Sequence, residues 1–313
     1  MHPPTLKHSV RAPSFRKALA LGSFLVLAAT GSTAIAAPIT GLAGSNTLIG
    51  FDSAAPSTVT STLSVTGLNG EAIRGIDVRP SNGQLYAIGQ SGGLFTIDTT
   101  SGAATRVAGP GIPVNSGDLD FGMAFNPVPD AIRVVTATDQ NLRVNPTTGT
   151  TTIDGTLAYA TGDANAGANP NMTAVAYTNQ VPGTVTATTL YGIDAATGSL
   201  VLQNPPNNGT LTTIGSLGLS FSSSGIGFDI DGLSGLALVS LTSLTGGTGL
   251  YTINLATGGA TFLGGFGPNA VSDIAFGSIG PVAVPEPASM ALFGLGLLGL
   301  AMARKRRLSA PAA

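Results

Sequence analysis

The sequence predicts an all-β fold: a single five-bladed β-propeller of four-stranded blades, flanked by two terminal helices. Three observations predict it. First, a strand–turn–strand unit, clearest at 250–264, recurs along the chain. Its first strand closes on an Asx residue at Asp52, Asp98, Asn145, Asn204 and Asn254, at intervals of 46, 47, 59 and 50 residues. A period near fifty residues in an all-β chain belongs to a propeller. Second, another strand repeats ahead of these units, at 74–80, 121–127, 173–179, 226–231 and 272–278. Alignment puts bulky residues at Ile76, Met123, Val175, Phe228 and Ile274, each followed by a small or acidic one at Asp77, Ala124, Ala176, Asp229 and Ala275. One bulky and one lean face suit innermost strands set face to face around an axis. Third, the copy at 272–278 runs out of chain, while 39–44, 46–52 and 58–65 read as the second to fourth strands of a blade without a first. Joining the two ends closes the ring and removes its unpaired edge.

Taken in order, residues 1–36 form a secretory signal. Lys7, Arg11, Arg16 and Lys17 make a basic start, 18–29 is apolar, and Ala34-Ile35-Ala36 is an A-x-A site that places cleavage between Ala36 and Ala37. The apolar run is shorter than the roughly 20 residues of a comfortable membrane span. The propeller domain occupies 37–280, with blades near 73–108, 121–155, 172–215 and 225–264 besides the one shared by the two ends. Each Asx anchor is expected to bond its own backbone two residues on and hold the turn.

The links between blades, 109–120, 156–171, 216–224 and 265–270, emerge on one face of the disc. The two longest carry Asp118, Asp120, Tyr159, Asp163, Asn165, Asn169 and Asn171. These make the candidate binding face, with turn formation as the alternative role for the Asx residues.

Residues 281–313 form a second tail. Val284-Pro285-Glu286-Pro287 leads into an apolar helix at 290–303 and then Arg304-Lys305-Arg306-Arg307. Gly294, Gly296 and Gly299 fit G-x-G-x-x-G, but no strand precedes them, so a dinucleotide site is rejected. Small residues in a membrane helix explain them, and the basic cluster marks its cytoplasmic end. The three-part tail resembles the PEP-CTERM sorting signal. The resemblance implies recognition by an exosortase, a membrane cysteine protease of Gram-negative bacteria that make exopolysaccharide. It further implies transient inner-membrane anchoring, then processing and release to the cell surface or biofilm matrix.

The body, about 39–277, resembles the exported bacterial domain of unknown function family 4394. The segments NTLIGFD, RGIDVRP, GQLYAIG, FNPVPDAIRVV, NLRVNPTTG, AYTN, TLYGID and QNPPNNGTL carry that resemblance in order and spacing. It supports the fold and implies no activity.

Composition narrows the chemistry. Only 9% of residues are charged and 43% are hydrophobic, with 44 glycines, a turn-rich globular composition. Within 37–284, five arginines against fourteen acids leave nine net negative charges, which disfavours nucleic acid and anionic lipid. The same window holds no Cys, His, Lys or Trp. That removes Cys/His zinc sites, Ser-His-Asp and Cys-His pairs, Schiff-base lysines and disulfides.

The first functional reading is an exported, surface- or matrix-associated, non-enzymatic propeller that binds exopolysaccharide or a matrix protein. The alternative is a glycosidase-like enzyme, which needs carboxylates as acid and as nucleophile or base. Asp77 and Asp229 on innermost strands and Glu71, the only Glu before the sorting signal, would serve. Calcium is the one metal the residue types allow, with Asp118, Asp120 and Asp163 as oxygen ligands, although no EF-hand loop is present.

Overall fold

The computed structural model describes residues 36–115, 118 and 120–280. The signal segment ahead of Ala36, the 284–287 motif, the tail helix at 290–303 and its basic cluster lie outside the described residues, and so do both predicted terminal helices.

The described chain is a closed ring of five blades. Strands β1 (Pro38–Ala43), β2 (Thr47–Asp52) and β3 (Ala55–Ser64) belong to blade 1. Blade 2 holds β4 (Ile73–Val78), β5 (Leu85–Gly89), β6 (Leu94–Ile97) and β7 (Ala104–Arg106). Blade 3 holds β8 (Phe121–Asn126), β9 (Ala131–Thr136), β10 (Asn141–Val144) and β11 (Thr151–Ile153). In blade 4, β12 (Ala158–Tyr159) precedes β13 (Met172–Tyr177), β14 (Leu190–Asp194), β15 (Ser199–Gln203) and β16 (Thr210–Ser216). Blade 5 holds β17 (Gly227–Ile230), β18 (Ala237–Ser243), β19 (Gly247–Ile253) and β20 (Ala260–Gly265). The last strand, β21 (Val271–Phe276), returns to blade 1 and pairs antiparallel with β1, Ile39 opposite Phe276 and Gly41 opposite Ile274. The predicted closure by both chain ends is therefore the observed one, in a sheet ordered β21-β1-β2-β3. Blade 4 carries an addition the repeat does not announce: β12 lies parallel to β16 at the outer edge. Among the described residues the only helix is a single 3-10 turn, Pro206–Asn208, and none is long and apolar enough to cross a membrane.

The core sits between blades, in five apolar clusters, one per junction. Ile76 of blade 2 meets Leu42, Leu48 and Ala275 of blade 1. Met123 and Phe125 of blade 3 meet Tyr86, Ile88 and Leu94 of blade 2. Val175 and Leu190 of blade 4 meet Ala124 and Val135 of blade 3. Phe228, Val239 and Tyr251 of blade 5 meet Ala174, Ala176 and Ile193 of blade 4. Ile39, Phe51 and Ile274 of blade 1 meet Leu238 and Leu250 of blade 5. The bulky face of each innermost strand thus looks back to the preceding blade and the lean face looks forward to the next. Burying a large residue of this kind contributes roughly 1.5–3 kcal/mol. With no disulfide available, these five interfaces hold the ring.

The Asx anchors behave as turn-formers at four of five positions. Asp98 Oδ1 accepts the N–H groups of Thr100 and Ser101 at 2.8 Å. Asn145 and Asn254 repeat the arrangement, and Asp52 makes its first half with Ala54. Gly102, four residues after Asp98, has φ +77°, a left-handed conformation that closes the turn and that glycine adopts without cost. Asn204 departs from the pattern. Pro205 and Pro206 follow it, and proline has no N–H to donate, so the chain turns through the 3-10 segment instead.

Candidate functional site

The innermost strands β21, β4, β8, β13 and β17 line a central channel. Each has a neighbour on one side only, so its channel edge presents N–H groups with no strand partner. Three carboxylates satisfy several of them. Asp273 accepts from Ile274 at 2.9 Å and, across the junction, from Ile76 of blade 2 at 2.7 Å. Asp77 accepts from Val78 at 2.7 Å and from Phe125 of blade 3 at 2.6 Å. Asp229 accepts from Ile230 and from Phe276 of blade 1, both at 2.7 Å. Each acid therefore clips its own blade to the next, at the 1–2, 2–3 and 5–1 junctions.

The other two junctions carry Ala124 and Ala176 at the aligned position and close by contact. A Cβ added at Gly122 would stand 2.7 Å from the Val175 nitrogen and 2.8 Å from the Ala174 Cα.

All three acids are buried. Burial raises each well above the ordinary carboxylate range, and for Asp77 the nearby Asp229 adds to the effect. Asp229 is pushed up to about 7, chiefly by burial, against the lowering effect of its two backbone bonds.

The channel has two unequal mouths. Where the innermost strands begin and the links between blades arrive, Ile73, Phe121 and Ile226 leave a space of about 30 Å³ beside Arg74, Asp120 and Thr173, room for about one water. Where the innermost strands end in hairpins, a cavity of about 410 Å³ opens. Asp77 and Asp229 border it together with Gln180, whose amide reaches Asp229 at 3.3 Å. Pro80, Val181, Pro182, Leu233 and Phe276 supply apolar wall, and Ala36 and Ala37 stand at the rim. Leu233 is 87% exposed there.

The residues predicted from sequence fall out unevenly. Asp77 and Asp229 do come together at one cavity. Glu71 does not join them: it precedes β4, so it lies at the opposite end of that strand, accepting the Ser91 N–H at 3.2 Å. The predicted binding face is tied down by its own bonds. Asp118 accepts the Thr138 hydroxyl at 2.7 Å, Asp120 accepts the Gly225 N–H, and Asp163 accepts both the N–H and the hydroxyl of Thr213 at 2.7 Å. Asn165 donates to the same Thr213 hydroxyl, and Asn169 is exposed.

Tyr159, placed on the candidate binding face by the sequence, is buried. Its ring lies in the apolar cluster between blades 3 and 4 and its hydroxyl donates to Asp194. Burial, ahead of Asp194, raises its pKa above the range of a free phenol. Asp194 also accepts from Thr197 and from the N–H groups of Asn171 and Ala196, so it organises the 156–171 link from within. The oxygen ligands proposed for calcium have separate partners, and among the described residues no three His, Cys, Asp or Glu side chains are placed to hold one metal ion.

Two features escape the sequence reading. Asp273 stands one residue before its bulky neighbour, where the other copies have Gly75, Gly122, Ala174 and Gly227, so the aligned position gives no sign of it. The hairpin loop 178–189, which brings Gln180, Val181 and Pro182 to the cavity, is twelve residues long where the matching loops 79–84, 127–130 and 231–236 have four to six. That excess length was a readable signal.

Comparison with known proteins adds the address. No curated protein matches the chain. Among solved structures, a structural genomics protein of unknown function from Bacteroides thetaiotaomicron shows 16% identity and a TM-score of 0.46 over 74% of this chain and 58% of its own. The chain thus spans under two thirds of that protein's length. A structure of a nidogen/laminin complex matches at 10% identity and a TM-score of 0.42, over 77% of this chain and 97% of that one. Myxococcus xanthus glutaminyl cyclase matches at 11% and 0.42, over 66% and 83%. Residues 283–307 match the PEP-CTERM protein-sorting motif. This marks an exported chain sorted by an exosortase, with a cell-surface or extracellular address. Residues 47–275 match the domain of unknown function DUF4394, and the chain belongs to that family.

Proposed function

We propose that this is a non-enzymatic propeller, associated with the cell surface or matrix, that binds exopolysaccharide or a matrix protein at the hairpin-face mouth of its channel. The observation that carries the reading is the cavity of about 410 Å³ with apolar walls, a few converging polar groups and an exposed Leu233 at its rim. Binding sites have that make-up, and Leu233 adds apolar surface at the cavity rim. Cleavage after Ala36, as the A-x-A site implies, would also place an α-ammonium at Ala37 on the rim. In a domain without lysine that would be the one amine, and its nitrogen donates to the Ser53 hydroxyl at 3.0 Å.

The acids support binding more than catalysis. Every carboxyl oxygen of Asp77 and Asp229 already accepts a backbone N–H, and Glu71 stands at the other end of the channel. A glycosidase needs one carboxyl to give a proton and another to attack or to activate water. The alternative enzyme reading keeps one favourable observation, the raised Asp229 in a cavity.

The test is a glycan array and a matrix pull-down with the purified chain and with Leu233→Asp. An exposed rim change leaves stability within about 0.5 kcal/mol, so the variant should melt like wild type and lose binding about tenfold, the worth of one good contact. Equal binding by both proteins to every captured ligand would remove the cavity from the reading. Release of reducing ends that stops in Asp229→Asn would replace it with the enzyme.

A further inference from the structure

Both ends of the described chain leave the disc on its hairpin face. At the front, Ala36 and Ala37 stand at the cavity rim. At the back, β21 ends at Phe276, which borders the same cavity. The four residues that follow form a strap across blade 1. The Gly277 N–H donates to the Pro38 carbonyl at 3.0 Å, and the Gly277 carbonyl accepts from the Thr40 hydroxyl at 3.0 Å. The Ile279 carbonyl accepts from the Ser61 hydroxyl at 3.2 Å, and the Gly280 N–H donates to the Thr99 carbonyl of blade 2 at 2.7 Å. The Ile279 side chain is buried in the apolar cluster between blades 1 and 2. Thr99 lies in the turn after β6. That strand points the same way as β4, because both are antiparallel to β5. Gly280 is therefore fixed on the hairpin face, near the outer edge of blade 2.

A fixed exit limits where the domain can sit relative to its tail. The sorting motif begins at residue 283, three residues beyond Gly280. The apolar run begins at Met290, ten residues beyond it. Ten residues reach at most about 35 Å. A six-residue innermost strand such as β21 is about 20 Å long before its loops are added. A link of this length would spend most of its reach in running back past the disc to the link face. With the hairpin face turned towards the tail, the whole reach is free.

We propose that, while the tail is held in a membrane, the propeller stands with its hairpin face towards the bilayer and its link face towards the aqueous phase. The channel-mouth cavity and Leu233 are then screened until the tail is processed, so that release also opens the binding site. This last step rests on the reading of the cavity as the binding site; the orientation does not. The basic cluster at 304–307 fits the arrangement, because it keeps the far end of the tail on the cytoplasmic side.

The chain has no cysteine, so a single introduced thiol reports one position. Leu233→Cys marks the hairpin face, and Leu244→Cys, in the hairpin between β18 and β19, marks the link face. The native side chains are 87% and 69% exposed, so slower labelling at 233 requires a screen. The full chain is reconstituted in phosphatidylcholine vesicles and treated with a bulky, membrane-impermeant polyethylene-glycol maleimide. Leu233→Cys should label several-fold more slowly than Leu244→Cys. Inserting about twenty Gly/Ser residues after Gly280 adds a flexible link spanning roughly 25 Å, which should bring the two rates together. Equal labelling in the unextended chain, faster labelling at 233, protection that persists with the extended link, or failure of the chain to float with the vesicles would overturn the proposal. Labelling involves no ligand, so the two readings fail separately. Normal binding by Leu233→Asp with protection of Leu233→Cys would sink the cavity reading and leave the orientation; lost binding with equal labelling would do the reverse.

Discussion

The 2–3 and 3–4 junctions join neighbouring blades of one architecture by opposite means. At the 2–3 junction the carboxylate of Asp77 reaches across the axis end to Phe125, Tyr86 meets Phe125 edge to face at 5.1 Å, and Arg79 pairs with Asp130 near the surface. At the 3–4 junction the axis end is closed by bare backbone contact at Gly122. The polar content lies farther out, in a buried network. Arg133, 2% exposed, donates to Asp154, Asn141 and Asn207, each at 2.7 Å, and Asn141 in turn donates to the carbonyls of Gly155 and Pro206. Gln203 completes it with bonds to Asn141 and Pro206. The contrast teaches that an equal blade count does not require equal seams. A carboxylate supplies acceptors for edge N–H groups across three junctions, and a close backbone approach fills the volume at Gly122.

The sharpest way to break the contrast is at the network. Asp154→Ala would leave Arg133 buried with only amide partners. Removing one member of a buried ion pair costs about 3–5 kcal/mol, a fall in melting temperature on the order of 10 °C for a domain of this size. Thermal denaturation reads it directly. A fall of only a degree or two would mean that the arginine is not held by that charge.

A gentler probe compares one aligned position at both seams. Gly75 and Gly122 both sit on the lean face of an innermost strand. At Gly122 the intruding Cβ meets backbone of blade 4, which can yield only by moving the blade. At Gly75 it meets the Met123 Cβ at 3.1 Å and nothing else closer than 3.8 Å, and a small shift relieves that. Overpacking costs about 1–3 kcal/mol, so Gly122→Ala should lie in that range and Gly75→Ala well below it. Equal melting temperatures would show that the backbone seam is looser than its geometry.

How much of this could be read in the sequence depends on the range of the interaction. The strand pattern, the Asx turns at Asp98, Asn145 and Asn254, and the closure of β21 onto β1 rest on local alternation and on a repeat, and both are legible in a single chain. What fixes the seams is not local. Arg133 and Asn207 lie 74 residues apart, Asp77 and the Phe125 N–H 48, and Asp273 and the Ile76 N–H 197. Tyr159 misled for the same reason. In a run of Gly, Asn and Ala it reads as an exposed ring, and nothing nearby announces that Asp194, 35 residues on, draws it inward. The preference for the long links over the hairpin loops came from length counted between blades alone. Those links spend their polar groups on Thr138, Asp194 and Thr213 of the blades, and the cavity lies on the opposite face.

The smallest expected effect separates the seams by pH. The clipped junctions depend on acids whose folded pKa is raised; the backbone-closed ones contain none at the aligned position. For Asp229 the shift runs from the ordinary 3.8 to about 7, and Asp77 and Asp273 move the same way, all chiefly by burial. Between those values the folded chain holds more protons than the unfolded chain, so raising the pH favours unfolding. Stability supplied by the neutral Asp229 carboxyl is complete below about pH 4 and is lost as the pH rises to about 7, by at most about 1.4 kcal/mol per unit for each group in transition. Asp130 acts in the other direction. Its hydrogen bonds to Arg79 lower its pKa, so its contribution is present above the ordinary value and lost as the pH falls through the depressed one. The melting temperature should therefore peak in mild acid and decline from about pH 5 to 8. Asp229→Asn gives up one acceptor, so it should melt lower than wild type at pH 5. Because it cannot ionise, its curve should be flatter and approach the wild-type curve by pH 8. Gly122→Ala, at a seam with no acid at the aligned position, should run parallel to wild type across the whole range. A wild-type melting temperature that climbs steadily from pH 5 to 8 would show that the clips hold the ring as charged carboxylates, and would erase this difference between the seams.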